Sequence, residues 1–265
     1  MKLHIITVLL CSLHLAHAQT PKQAIIIGAS SGIGSSLATA LAKHGYQVGM
    51  MSRRLERLEA LQKSLPTKSY IRQVDVRDTA TAQQELQSLL ATMGDVELII
   101  INAGVGHEDR ARDWHVQKEM LETNVLGFAA VAHTALAYFI KRGRGHLVGI
   151  TSPAGLRGLP FAYTYGATKA FDALLLEGIR NTMRAQHLPI EVTDIKPGFV
   201  DTDMVRNNKH KFWVATSDEA AEQIYDAIVA RSTTAYVTKR WAVVGWILRN
   251  APDWVFRLAL HFAKN

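Results

Sequence analysis

The sequence predicts an α/β fold built on one doubly wound parallel sheet. Three observations carry that expectation. Short apolar runs alternate with amphipathic stretches of helical length, the pattern of a parallel sheet covered on both faces. No Pro/Gly/Ser-rich linker and no short internal repeat interrupts the alternation. The first run ends directly in a glycine-rich turn that opens a helix.

In order, "QAIIIGA" reads as a strand, "SSLATALAKHG" as a helix with a glycine stop, and "YQVGMMS" as a second strand. The charged helix "RLERLEALQKSL" follows, then "SYIRQVDV", the helical "ATAQQELQSLLATMG" and the buried strand "VELIIINAG". A long helical region is expected from Trp114 to Lys141, then the strand "GHLVGITS", a helix from about Tyr165 to Ala185, and "IEVTDIKPG". After Gly198 the rhythm loosens. Residues 201–216 are polar and basic and read as a candidate lid, "SDEAAEQIYDAIVAR" is helical with an N-cap at Ser217 or Asp218, and "TAYVT" is a last strand. One domain over 22–238 accounts for this pattern.

At 265 residues and 48% hydrophobic, the chain can bury a core without covalent staples. Cys11 is the lone cysteine, so no internal disulfide and no cysteine-based metal site can form. The 11 histidines lack any paired ligand spacing, and no metal is expected; His133, His146 and His187 read as surface or helix-flank residues. The net charge of +7 suits a polyanion, but the basic residues are scattered, which favours a phosphorylated cofactor or anionic lipid over nucleic acid.

Residues 1–20 form a signal-like or anchor-like leader: a lysine, an apolar run from Ile5 to Leu10, and "AHA" ahead of a cleavage point. Three readings stay open, a cleaved signal, an uncleaved anchor, and a leader or mis-assigned start without structure. Localisation is therefore divided between export or a lumen, from the leader, and a cytoplasmic or membrane-associated site, from the cofactor. The tail, 239–265, interleaves Trp241, Trp246, Trp254, Phe256 and Phe262 with Arg240, Arg249 and Arg257. It either lies on a membrane surface or packs over a substrate cleft or partner subunit.

"IIIGASSGIGSSLA" places glycines at 28, 32 and 34. Glycines permit a tight turn and close backbone approach, and the helix N-terminus offers unpaired N–H groups to a pyrophosphate. Ser30 and Ser31 add hydroxyl donors. The second strand ends in Ser52, Arg53 and Arg54 rather than an acid. Guanidinium groups there suit a 2′-phosphate, so NADP(H) is favoured over NAD.

The order "GASSGIG" at 28, "DVRD" at 75, "NAG" at 102, "NVLG" at 124, "ITS" ending at Ser152, "YGATK" at 165 and "PGFVDT" at 197 closely resembles the short-chain dehydrogenase/reductase family. The match spans about residues 22–202. Ile27 and Ile101 stand where the family usually has threonine and often has asparagine. The resemblance implies a Rossmann-like sheet of about seven strands and a homo-oligomer. It places Gly28, Ser30, Ser31, Gly32, Ile33 and Gly34 at the pyrophosphate and Asp75 and Val76 at the adenine. Asn102, Ala103 and Gly104 fall beside the adenosine-side ribose, and Pro197, Gly198, Val200 and Thr202 at the nicotinamide end.

Helical phase selects between two tyrosines. Tyr165 and Lys169 differ by about 40° and share a face, whereas Tyr163 and Lys169 differ by about 240°. Tyrosine is a weak acid, and an adjacent ammonium favours its phenolate. Tyr165 is the candidate general acid and base for reversible hydride transfer to a carbonyl. Ser152, at a strand end, is placed to orient the carbonyl oxygen. Lys169 by resemblance also holds the nicotinamide ribose, and Asn124 resembles the residue that completes a proton relay through water. Phe161, Phe199, Met204 and Trp213 are candidate substrate contacts, for a hydrophobic carbonyl or secondary alcohol. Arg157, Arg206, Lys209 and Lys211 are either solvated or recognise an acidic substituent. An isomerase or epimerase on a related fold, and a cofactor-binding regulator or scaffold, are the alternatives. "SPAGLRG" is no serine-hydrolase elbow.

Overall fold

The computed structural model describes residues 21–107, 112–206 and 211–256. The leader, the residues 207–210 within the expected lid and the end of the tail lie outside the described residues.

Seven parallel strands form one sheet in the order β3-β2-β1-β4-β5-β6-β7. They are β1 (Gln23–Ile27), β2 (Gln47–Ser52), β3 (Ser69–Gln73), β4 (Leu98–Ile101), β5 (Gly145–Ile150), β6 (Ile190–Pro197) and β7 (Thr234–Val237). The helices α1 (Gly32–Lys43), α2 (Leu55–Ser64), α3 (Thr79–Met93), α4 (Trp114–Met120), α5 (Phe128–Arg142), α6 (Tyr163–Ala185), α7 (Ser217–Val229) and α8 (Trp241–Asn250) complete the chain. The order in which the chain adds strands reverses between β1 and β4, and this switch point opens a crevice at the strands' carboxyl ends.

The central strands are apolar on both faces because both are covered. From β1, Ala24 and Ile26 point into one core with Leu37, Leu41 and Ile224, while Ile25 and Ile27 point into the other with Leu86, Phe128 and Leu176. Each of the three isoleucines is fully buried, worth about 1.5–3 kcal/mol apiece. Ile27 and Ile101, the two departures from the family pattern, are core residues.

The long helical region expected from Trp114 to Lys141 runs continuously from Trp114 to Arg142. Residues Leu121–Gly127 wind as a π-helix between α4 and α5, with Asn124 at its middle. Helix α6 starts two residues earlier than expected, so Tyr163 is helical too. His146 is not a surface residue: it lies in β5, bonded to Thr193 Oγ1 at 2.8 Å, and burial pushes its pKa down to about 4. The ends of segment 201–216 are pinned by a bridge between Val200 and Ala215 and by Asp201 N donating to the Ala215 carbonyl (2.8 Å). The tail is not detached: α8 packs against the short 3-10 turn Pro153–Leu156 and against β7.

Candidate active site

A cavity of about 1030 Å³ occupies the crevice. One end is built by the turn after β1. Gly28 has φ +92°, and a Cβ there would fall 2.5 Å from Ala103 N. At Gly34 a Cβ would fall 2.1 Å from the Gly28 carbonyl, so this glycine lets α1 approach the turn. Gly34 does not line the cavity, which corrects its assignment as a pyrophosphate contact; its part is to let the turn close. Asn102 Nδ2 donates to the Gly28 carbonyl (2.7 Å) and fixes the turn from β4.

All other residues assigned to the cofactor line this cavity: Ser30, Ser31, Gly32, Ile33, Ser52, Arg53, Arg54, Asp75, Val76, Ala103, Gly104, Val200 and Thr202 among them. Arg54 Nη2 donates to Ser30 Oγ (2.8 Å) and Ser31 Oγ (2.6 Å). Burial, together with the neighbouring Arg57 and Arg53, lowers the Arg54 pKa. Arg53 faces Glu119 at 3.7 Å. Burial works against the Asp75 carboxylate, but three hydrogen bonds from Arg77 outweigh it and hold its pKa below the usual range. A backbone cradle without room for side chains, two serines and two arginines fit a dinucleotide carrying an extra phosphate.

Three of the four catalytic candidates, Ser152, Tyr165 and Lys169, line the cavity. Ser152 leaves β5 in extended conformation and accepts from Ala154 N (3.1 Å), which orients its hydroxyl. Tyr165 and Lys169 come from the first turns of α6 and line the same wall, as helical phase requires. Lys169 is buried, and its Nζ donates to the Ile150 carbonyl (3.0 Å) and to Asp172 Oδ2 (2.9 Å). Tyr163 leaves the site: its hydroxyl accepts from Gln117 Nε2 (3.1 Å) at the surface. Asn124 is fully buried and does not line the cavity. Its Oδ1 accepts from Val105 N, and its Nδ2 donates to the Val105 carbonyl and to Thr168 Oγ1. It braces the loop after β4 beside Lys169.

The substrate end differs from the expected set. Phe199 and Met204 line it, whereas Phe161 and Trp213 do not. Phe161 is 47% exposed with φ +59°. Trp213 packs edge-on against Phe212 and Trp241, with Arg240 over its ring. Phe212, Val244 and Leu248 are not among the expected substrate contacts, and Trp241 enters only within a tail that could pack over the cleft; all four line the cavity. Trp241 is 6% exposed, stacks on Phe212 (centroids 4.9 Å) and lies so close to Gly198 that no Cβ would fit there. Arg157, a candidate for an acidic substituent, is engaged elsewhere. Its Nη1 donates to the Ala251 carbonyl, Nη2 reaches Asp253 Oδ1 (3.4 Å), and the guanidinium covers the Phe256 ring. Arg206 pairs with Asp203. Among the described residues no cluster of His, Cys, Asp or Glu could hold a metal.

Known proteins resemble this chain along most of its length. A family model described as short chain dehydrogenase matches residues 22–213. An uncharacterised oxidoreductase of Myxococcus xanthus is 35% identical over 71% of this chain and 75% of its own. The NADP-dependent 3-hydroxy acid dehydrogenase YdfG of Escherichia coli K12 is 31% identical over 78% of this chain and 82% of its own. The closed form of serine dehydrogenase complexed with NADP+ superposes with TM-score 0.72 at 26% identity, over 81% of this chain and 93% of that one.

Proposed function

The chain belongs to the short-chain dehydrogenase family, and on that premise we propose that it interconverts a carbonyl and a secondary alcohol on a hydrophobic substrate, using NADP(H). The observation that supports this reading is that Ser152, Tyr165 and Lys169 line one cavity together with Arg53, Arg54 and the aromatic residues Phe199, Phe212 and Trp241. NADP fits Arg53 and Arg54 and is named for the hydroxy acid dehydrogenase relative and the serine dehydrogenase neighbour.

NADPH held along Ser30, Ser31, Arg53 and Arg54 would supply the hydride. The chain's own groups handle position and proton. Ser152 donates a hydrogen bond to the carbonyl oxygen and stabilises the charge that develops there. Tyr165 gives that oxygen its proton, and takes it back in the oxidation direction. Lys169 sets the field around Tyr165 and holds the ribose. The side chain of Asn124 is committed to Val105 and Thr168, so its part here is to brace the loop beside Lys169.

Phe199, Phe212, Trp241, Val244, Leu248 and Met204 favour an apolar substrate. Among the described residues, the cationic side chains on the cavity wall are Arg53 and Arg54 at the cofactor end and Lys169 at the catalytic centre. A panel of ketones (acetophenone, octanone) and oxo acids (acetoacetate) with NADPH tests the reading. Ketones are expected to be reduced faster, and preference for acetoacetate would overturn the hydrophobic assignment. Tyr165→Phe should abolish turnover while NADPH still binds; retained turnover would refute the acid. Binding without turnover of any carbonyl in the unaltered protein would favour the scaffold reading.

A second proposal concerns α8. Its outer face exposes Val243, Trp246 and Ile247, continued by Trp254, and Lys239, Arg240 and Arg249 flank it. Apolar bulk with cations at its margin matches an anionic lipid surface. Sedimentation with phosphatidylserine vesicles is expected for the full chain and not for Trp246→Ser/Trp254→Ser. Equal binding by both would sink the membrane contact.

A further inference from the structure

Behind the catalytic wall, α6 and β6 carry four charged side chains into the protein interior. Lys169 and Asp172 pair at 2.9 Å and are 5% and 0% exposed. Asp194 and Lys196 pair at 2.6 Å, each 7% exposed. Thr151, the neighbour of Ser152, donates to Asp194 Oδ1 (2.5 Å). Taking charges out of water costs several kcal/mol per ion, so a buried pair is a poor device for stability alone. Asp172 is also half-satisfied. Its Oδ1 has no hydrogen-bond partner among the described residues, which leaves the bond from Lys169 Nζ to Oδ2 as its recorded side-chain partner.

We propose that Asp172 is a positioning residue for the hydride-transfer site: its carboxylate draws the Lys169 ammonium back against Ile150 and offsets part of the charge that Lys169 presents to Tyr165. The inference rests on Tyr165 being the acid, as proposed above. In reduction, the carbonyl carbon gains hydride, its oxygen becomes an alkoxide, and the Tyr165 O–H proton converts that alkoxide to the alcohol. The ammonium beside the phenol favours the phenolate, and an anion behind the ammonium opposes it. Asp172 lies three residues past Lys169 and seven past Tyr165, so acid, cation and anion follow one another along one face of α6. Asp172 thereby sets the pH window of carbonyl reduction.

The charged groups acting on Asp172 are Lys169 on its own helix and Asp194 and Lys196 on β6. Burial pushes the Asp172 carboxyl up to about 6, against the pull of Lys169. It is therefore ionised above that pH, where phenolate formation is read. Burial works against the Lys169 ammonium as well, but Asp172 and Tyr165 more than offset it and hold its pKa above the ordinary value.

The test is the pH profile of kcat/KM in both directions, with the fastest ketone of the panel and its alcohol. In Asp172→Asn, the decline of reduction and the rise of oxidation with pH should both move down by about one pH unit. Asp172→Glu should return them toward the original values. Unmoved midpoints, with only rate or melting temperature altered, would assign Asp172 to structure and overturn the proposal. Should Asp172→Asn not fold, the same displacement in Asp172→Leu decides, and failure of both neutral variants to fold also overturns it. The two readings separate cleanly. An inactive Tyr165→Phe with unmoved Asp172→Asn midpoints removes only the positioning role, whereas an active Tyr165→Phe removes the acid itself.

Discussion

Replacing Arg54 by alanine probes the cofactor end most directly. Its guanidinium lines the cavity, spans the Ser30 and Ser31 hydroxyls, and has Arg53 and Arg57 as cationic neighbours. A hydrogen bond to a charged group contributes about 1.5–3 kcal/mol, so losing the phosphate contact should weaken NADPH about 10- to 150-fold. The substitution also frees the two serines, and that loss, about 0.5–1.5 kcal/mol, falls on NADPH and NADH alike. NADH should therefore weaken only several-fold, and the NADPH preference should fall by about one to two orders of magnitude. Arg53 makes a solvent-exposed contact with Glu119, so Arg53→Ala should cost NADPH less than Arg54→Ala does. Titration of both nucleotides into the unaltered protein and the two variants, by quenching of tryptophan fluorescence, measures these affinities. An equal loss for NADPH and NADH in Arg54→Ala would refute the 2′-phosphate assignment.

Two further variants test the substrate wall and the acid stability of the sheet. Trp241→Ala empties a buried site between Gly198, Phe199 and Phe212, and should cost about 3–5 kcal/mol. The melting temperature should then fall by about 6 to 20 °C, with the KM for aryl ketones raised; an unchanged melting temperature and KM would remove Trp241 from the wall. His146 is held neutral by burial, with its pKa near 4 against an unfolded value of about 6.5. The folded state thus binds fewer protons, so its contribution is complete above about pH 6.5 and lost as pH falls toward 4. Urea unfolding should show stability dropping by up to about 3 kcal/mol over that interval. His146→Gln should flatten the drop, and an identical acid limb in the variant would place its origin elsewhere.

The sheet was legible because burial on both faces writes itself as uninterrupted runs such as "AIII" and "LIII", which no surface strand would tolerate. That Tyr165 and Lys169 line the same cavity was legible because both sit on one helix, where spacing fixes direction. Asp172 shares that face, yet its i+3 position reads equally as an exposed helical ion pair. Only the packing of β6 against α6 reveals that it is buried. The π-helical turn at Asn124 was hidden because an extra residue per turn leaves the apolar content of the helix unchanged. In the tail, Trp241 faces the cavity while Trp246 and Trp254 face outward, and five residues of separation split them only once the start of α8 is known. Arg157 had no local signal, since its partners are about 95 positions downstream.

The Arg157 clasp bears on how the protein is handled. The side chain springs from the loop that follows Ser152, and its partners are the Ala251 carbonyl, Asp253 and the Phe256 ring. An affinity tag or fusion partner appended at the C-terminus would hang from a segment latched to the catalytic loop. Pulling on that end, or crowding it, would be transmitted to the loop that follows Ser152. Preparations carrying such a tag should be compared with tag-free protein before any measured rate is assigned to the enzyme itself.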